Sequence, residues 1–310
     1  MKLIDLHCDT AKRMYQLKTQ LSSNDLHISL KKAQKYDNYA QFMAFFTPHQ
    51  LNNEEGFYHF LENYGYFIAE ISENADKVDI IHEGSQINNI WNDGKCAILI
   101  SIEDARILNG NIERLDYLYK KGVRSAVLMW SGETCIGGSF DTTEGLTDFG
   151  REVTHRCFEL GIIPDISHAS VQTADEIIDI ACKYEKPIIA SHSNSYTIYS
   201  HDRNCRDRHF EAIRDLGGIV GISMCCTHIA DNNPTVDDII RHIDHYLSLG
   251  GENNIALGCD LDGAKLPSGF SGITDLDKIA TRMSDLGYTD HIIQKIFWKN
   301  AKFFTEKNIR

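Results

Sequence analysis

Five short apolar runs in this chain end on a residue type that can hold a metal ion. Leu3-Ile4-Asp5-Leu6 runs into His7 and Asp9, and the run 96–102 into Glu103. The run 162–167 ends at His168, 187–191 at His192, and 255–259 at Asp260. Taken singly, each is a weak signal, since a strand-end acid can be ion-paired and a lone His can be a satisfied core residue. Repeated at successive strand ends, ligand chemistry is how a parallel barrel assembles an active site. His, Asp and a shared Glu for one cation, with that Glu and two His for a second, make a nitrogen and oxygen donor set suited to Zn²⁺. Such a pair acidifies a bridging water and polarises a carbonyl. Asp260 is then the candidate to take the water's proton and return it to a leaving group. Asp262, two residues on, reads as part of the turn. Asp104 beside Glu103 reads as a solvated partner.

The elements that must position these residues are legible as well. Eight strand candidates lie at about 3–8, 41–47, 97–103, 124–130, 162–167, 187–192, 218–224 and 255–260. Most are continuous apolar runs, as expected of parallel strands covered on both faces. Helical spacing occupies 55–73, 111–121, 148–160, 171–184 and 235–248, and 276–308 reads as two helices broken near Gly287. Gly122, Gly161 and Gly250 suit helix C-caps. This alternation predicts a (β/α)₈ TIM-type barrel with insertions after the first and second strands. A doubly wound sheet would not bring the ends of strands one, three, five, six and eight together. With no linker or low-complexity tract, residues 1–310 are expected to form a single domain.

Bulk properties narrow the partners. The 310 residues are 42% hydrophobic and 24% charged, with a formal net charge of -13. That charge disfavours nucleic acid or an anionic membrane as an obligate partner. No apolar stretch suits a signal peptide or a bilayer span, and the expected location is cytoplasmic. The 9 cysteines are an odd number; a reducing compartment disfavours disulfides, and with no C-x-x-C pair the spacing argues against a cysteine-rich zinc site. Arg203 lies in a charged loop that serves equally as solvated surface or as a guanidinium gripping a substrate carboxylate. His242 and His245 are expected on a helix surface.

Together these residues resemble one family, the membrane (renal-type) dipeptidases of peptidase family M19, along nearly the whole chain. His7-Cys8-Asp9 is similar to the family's H-x-D, Glu103 to its bridging Glu, and the segment 145–150 to its G-L-[ST]-x-F-G. Asp165-Ile166-Ser167-His168 and Ser191-His192-Ser193-Asn194-Ser195 resemble the segments bearing its second-metal histidines. Arg203-Asn204 resembles the carboxylate-binding R-N, and the segment 258–263 the G-[SG]-D-F-D-G signature. The resemblance implies two Zn²⁺ per chain and hydrolysis of free dipeptides, often with a C-terminal D-residue. It also allows a homodimer. Two positions depart from it. Trp130 stands where the family's fourth strand ends in a His that helps hold the scissile carbonyl, and marks a subgroup with altered substrates. His228 stands near a Tyr that the family can offer to the substrate carboxylate. The alternatives are an N-acyl amino acid deacylase, another amidohydrolase on the same barrel, or a binder that keeps metals without turnover. TatD-like nucleases usually open with H-x-H, and most other relatives bridge their metals with a carboxylated Lys rather than Glu103.

Overall fold

The computed structural model describes all residues, Met1–Arg310. Its strands are β1 (Lys2–Cys8), β2 (Asn38–Phe46), β3 (Val78–Ile80), β4 (Cys96–Glu103), β5 (Val123–Val127), β6 (Ile163–Asp165), β7 (Ile189–Ala190), β8 (Ile219–Ile222) and β9 (Ile255–Leu257). All pair in parallel in the order β2-β1-β9-β8-β7-β6-β5-β4, and β2 pairs again with β4. That last pairing closes an eight-stranded barrel, as the sequence predicts. The eight expected strands are all present. β3 was not foreseen: it pairs with Cys96–Ile98 of β4, beneath the stretch Ile100–Glu103 that pairs with β5. Three residues are too few to show a period.

The expected helices form, and the insertions fall after β1 and β2. The second insertion carries helix Asn53–Glu73, β3 and helix Gln86–Asn92. Asn52 opens the long helix with a capping box, accepting from the Glu54 and Glu55 backbone N–H groups. The chain also breaks at Gly287, whose φ of 89° ends helix Asp277–Asp285. No helix is long and apolar enough to cross a membrane.

Alternation along the strands divides the core. Ile4, Leu6, Ala40, Phe42, Leu99, Ile163, Ile189, Ile219 and Ala256 form one cluster. Residues from so many strands meet only inside the barrel. Residues of opposite parity, among them Ile98, Ile100, Ile102, Val220 and Ile222, pack outward against the helices. Towards the C-terminal ends, the inward positions become Ser101, Glu103, Asp165 and Ser191, all buried. Gly221 and Gly258 line the same level, where a Cβ would overlap the Ser191 carbonyl. The barrel thus narrows to backbone towards the C-terminal ends of its strands.

One irregularity positions a key residue. Asp5 pairs with Gln41 but Cys8 with Met43, so β1 carries an extra residue. This β-bulge turns both Leu6 and His7 inward, the re-aiming that bulges commonly perform beside active sites. Asp5, on the outer side, holds it in place. Its carboxylate accepts from the His7 N–H (3.1 Å), Gln41 Nε2 (2.9 Å) and the Cys259 N–H (2.9 Å).

Candidate metal centre

The barrel brings the expected ligands to one place. Glu103 sits at its middle, 2% exposed. Its Oε2 lies 3.4 Å from His7 Nε2, and its Oε1 lies 3.1 Å from His168 Nε2 and 3.6 Å from His192 Nε2. Asp260 Oδ1 is 3.9 Å from His7 Nε2. Two overlapping groups have donor atoms all within 4.8 Å of one another: His7, Glu103 and His192, and His7, Asp9 and Asp260.

The donors are aimed before any ion is considered. His168 Nδ1 lies 3.0 Å from the Trp130 carbonyl, which can only accept. The proton is therefore on Nδ1, and the Nε2 lone pair points at the cluster. His192 Nδ1 is held at 2.8 Å by Ser191 Oγ, so its Nε2 points the same way, 3.0 Å from that of His168. Such outer partners fix the orientation of metal-binding imidazoles. Asp9 stands at the N-cap of helix Thr10–Leu17, where Asp is favoured, yet its carboxylate makes no capping hydrogen bond. It turns into the cluster instead, with Oδ1 buried and unpartnered, as are both ring nitrogens of His7. Orphaned buried donors of these types fit a divalent cation, because leaving them unpaired is costly.

Backbone strain concentrates here too. His168 (φ 69°), Asp260 (φ 56°) and Asp262 (φ 64°) all adopt left-handed conformations, each costing on the order of 1–3 kcal/mol for a non-glycine residue. Asp262 is the turn residue expected. Its carboxylate accepts from Thr10 Oγ1 (2.5 Å) and the His27 N–H (2.7 Å). Gly263 follows, where a Cβ would collide with Asp9 and Asp260.

The charge balance asks for a cation. Burial opposes an imidazolium at His7, but Glu103, Asp260 and Asp9 raise its pKa to about 10. Burial pushes Asp260 up to about 7, opposed by His7 and reinforced by Glu103. Burial, then Glu103, holds Asp9 well above the usual carboxylate range. Burial and then Arg203 lower His168 to about 4, and burial keeps His192 well below 6.5. In metal-free protein both His7 and Asp260 hold protons tightly: Asp260's contribution is lost as pH rises from 3.8 to about 7, and His7's as pH rises from 6.5 to about 10. His168 and His192 act in the opposite sense but only below 6.5. Chelated protein should therefore melt at progressively lower temperature as pH rises from 6.5 towards about 10, while zinc-loaded protein stays level. A level profile in both forms would contradict a cation-seeking cluster.

Arg203 reaches in from the loop after β7 and is 3% exposed. Its Nη1 donates to Ser193 Oγ (2.9 Å) and its Nη2 to the His192 carbonyl (3.1 Å), while Nε–H is buried without a partner. No carboxylate lies within ion-pair distance of it. Burial lowers its pKa, opposed first by Asp260 and Glu103. Trp130 sits half-buried above His168, with ring centroids 6.4 Å apart. His228 lies in helix Cys226–Ile229, its ring 4.8 Å from that of His201. Burial and then Arg203 hold His228 well below the ordinary imidazole pKa.

Two expectations fail. Asp104 is buried, not solvated, and ion-pairs with Arg106 at 2.6 Å. His242 is fully buried rather than on the surface. It accepts from the Ser195 N–H (3.1 Å) and donates to the Ile229 carbonyl (2.9 Å), tying the loop after β7 to the one after β8. Its spacing from Ile239 and Tyr246, on the apolar face, was the available signal. Asp165 was also missed as a support. Its Oδ1 accepts from the Ser167 and Ser191 N–H groups, joining the strands that deliver His168 and His192.

The family model for membrane dipeptidases, peptidase family M19, matches residues 1–306. The chain belongs to that family. It is accordingly a metal-dependent hydrolase of the dipeptidase fold. A metallopeptidase from Rhodobacter sphaeroides, liganded with a phosphinate mimic of the dipeptide L-Ala-D-Ala, superposes with a TM-score of 0.92 at 21% identity, covering 99% of each chain. The probable dipeptidase PvdM from Pseudomonas aeruginosa gives 0.88 at 16% identity, over 100% of this chain and 96% of the other. Among curated relatives, an uncharacterized protein from the pqqA 5′ region of Klebsiella pneumoniae is 28% identical over 74% of this chain and 89% of its own. An uncharacterized dipeptidase of Schizosaccharomyces pombe is 31% identical over 60% of this chain. The match spans 46% of that longer protein.

Proposed function

We propose that this M19 hydrolase is a binuclear zinc dipeptidase cleaving free dipeptides, with residues 1–310 acting as one domain. His7, Asp9 and Glu103 would hold one zinc ion; Glu103, His168 and His192 would hold the other. Bound there, the pair would supply Lewis acidity, acidifying a water and polarising the scissile carbonyl. The chain's own residues do the rest. Asp260, at the edge of the cluster, accepts the attacking water's proton and delivers it to the amine nitrogen as the bond breaks. Arg203 binds the C-terminal carboxylate and fixes the peptide's register. His228, whose carbonyl accepts from Asn204 Nδ2 beside Arg203, would assist it. The likeness to a metallopeptidase holding an L-Ala-D-Ala mimic favours a dipeptide as the substrate.

The observation that carries this reading is Arg203: a buried guanidinium with an unpartnered Nε–H and no acidic partner, beside the metal cluster. A buried cation without a counter-ion is costly, and a substrate carboxylate supplies one. Hydrogen bonds to charged groups contribute about 1.5–3 kcal/mol. Arg203→Ala should therefore raise KM for free dipeptides about 10- to 150-fold, with a smaller change in kcat. C-terminally amidated dipeptides should be almost unaffected. An equal loss on both substrate sets would remove the clamp, and selective loss on N-acyl amino acids would favour deacylation.

A further inference from the structure

The mouth of the barrel has a second side that the proposed chemistry does not use. Phe46 ends β2, Trp130 follows β5, and His49 lies three residues beyond Phe46. The Phe46 and Trp130 rings meet edge to face at 5.0 Å. The exposed His49 ring stacks on the indole at 5.5 Å and 16°. Lys12 sits 3.9 Å over the Phe46 ring. Trp130 is also anchored from beneath, since its carbonyl takes the His168 Nδ1 proton. These rings pack together at the ends of β2 and β5, the strands on either side of Glu103, with Phe46 buried behind the half-buried Trp130 and the exposed His49.

Strand order sets what that surface faces. In the closed ring β2 stands four strands from β7 in either direction, so the two are diametrically opposed. Arg203 is bound to the backbone at the end of β7, and the cluster lies between them. A substrate whose carboxylate sits on Arg203 and whose scissile bond sits at the cluster directs its amino-side residue towards the end of β2, where the indole of Trp130, from β5 two strands away from β7, reaches across to meet Phe46 and His49.

We propose that Phe46, Trp130 and His49 form a specificity wall that selects a large aromatic or apolar residue on the amino side of the scissile bond. This rests on the dipeptidase reading. A half-buried indole backed by two more rings offers a flat apolar face, and aromatic pairs gain beyond simple burial of area. Small amino-side residues leave that face wet.

The test compares kcat/KM for L-Phe-D-Ala with L-Ala-D-Ala on zinc-loaded protein, beside Trp130→Ala and His49→Ala. The expected ratio is about 10-fold or more in favour of Phe, within the 10–200-fold range of apolar pocket discrimination. Trp130→Ala should bring it near one. His49→Ala, at an exposed position, should reduce it even if the Trp130 variant folds poorly. Zinc content and melting temperature show whether each variant is intact. A ratio near one in the unaltered protein, or a ratio unchanged in both variants, overturns the wall. If no dipeptide is cleaved, the dipeptidase reading fails separately. Calorimetric binding of the matched Phe and Ala phosphinates then decides the wall: tighter binding of the Phe compound, lost in Trp130→Ala, supports it. Equal affinities overturn it.

Discussion

Glu103→Gln is expected to abolish hydrolysis and to empty both metal positions at once. Both carboxylate oxygens are engaged, Oε1 facing His168 and His192 and Oε2 facing His7. An amide has one acceptor oxygen and would turn its N–H₂ towards imidazole lone pairs on one side. Even outer-shell changes cost about 10–100-fold in metal affinity, so losing the shared ligand should exceed that. Without the cations the nucleophilic water returns towards its bulk pKa of about 15.7, and activity should fall to background. The competing account makes Glu103 a structural ion-pair acid. Breaking a buried pair costs about 3–5 kcal/mol, so that account predicts a poorly stable variant that still binds zinc. Metal analysis beside thermal melting separates the two. Full zinc retention in Glu103→Gln would falsify the bridging role.

Asp260→Asn should produce the next largest loss, with a different signature. Positioned proton transfer contributes about 10²–10⁴-fold to rate, and kcat should drop within that range. Zinc should stay, because His7, Asp9, Glu103, His168 and His192 remain. Asn also tolerates the left-handed backbone of φ 56°, so the turn should survive. An unchanged kcat would remove Asp260 from proton transfer. A parallel loss of zinc would make it chiefly a ligand, an outcome its place beside His7 and Asp9 makes worth measuring.

What the sequence made legible follows from how parallel barrels are built. The ligands stood out because each closes an apolar run, and covered strands are apolar on both faces. Three of the strands, β6, β7 and β9, are shorter than those runs. β7 is only Ile189–Ala190 and β6 only Ile163–Asp165, since the chain bends away once its side chains turn to the cluster. The bulge in β1 was illegible, because an extra residue in one strand shows only against its partner's register. Yet without it His7 would not join Leu6 on the inner face. His242 illustrates the opposite failure. Its helical spacing put it with the apolar residues, but its polarity suggested solvent; two backbone partners satisfy both ring nitrogens in the core. Trp130 was readable as a departure from a family pattern. Its stacking with His49 and Phe46 joins segments that only the closed barrel brings together.

The most direct test of the central claim is hydrolysis of a panel of free L-Xaa-D-Xaa dipeptides, led by L-Ala-D-Ala and L-Phe-D-Ala, with bound metal quantified in the same sample. The account predicts turnover that disappears on chelation and returns with zinc, saturating at about two equivalents per chain. Protein carrying that zinc yet cleaving no free dipeptide would contradict it.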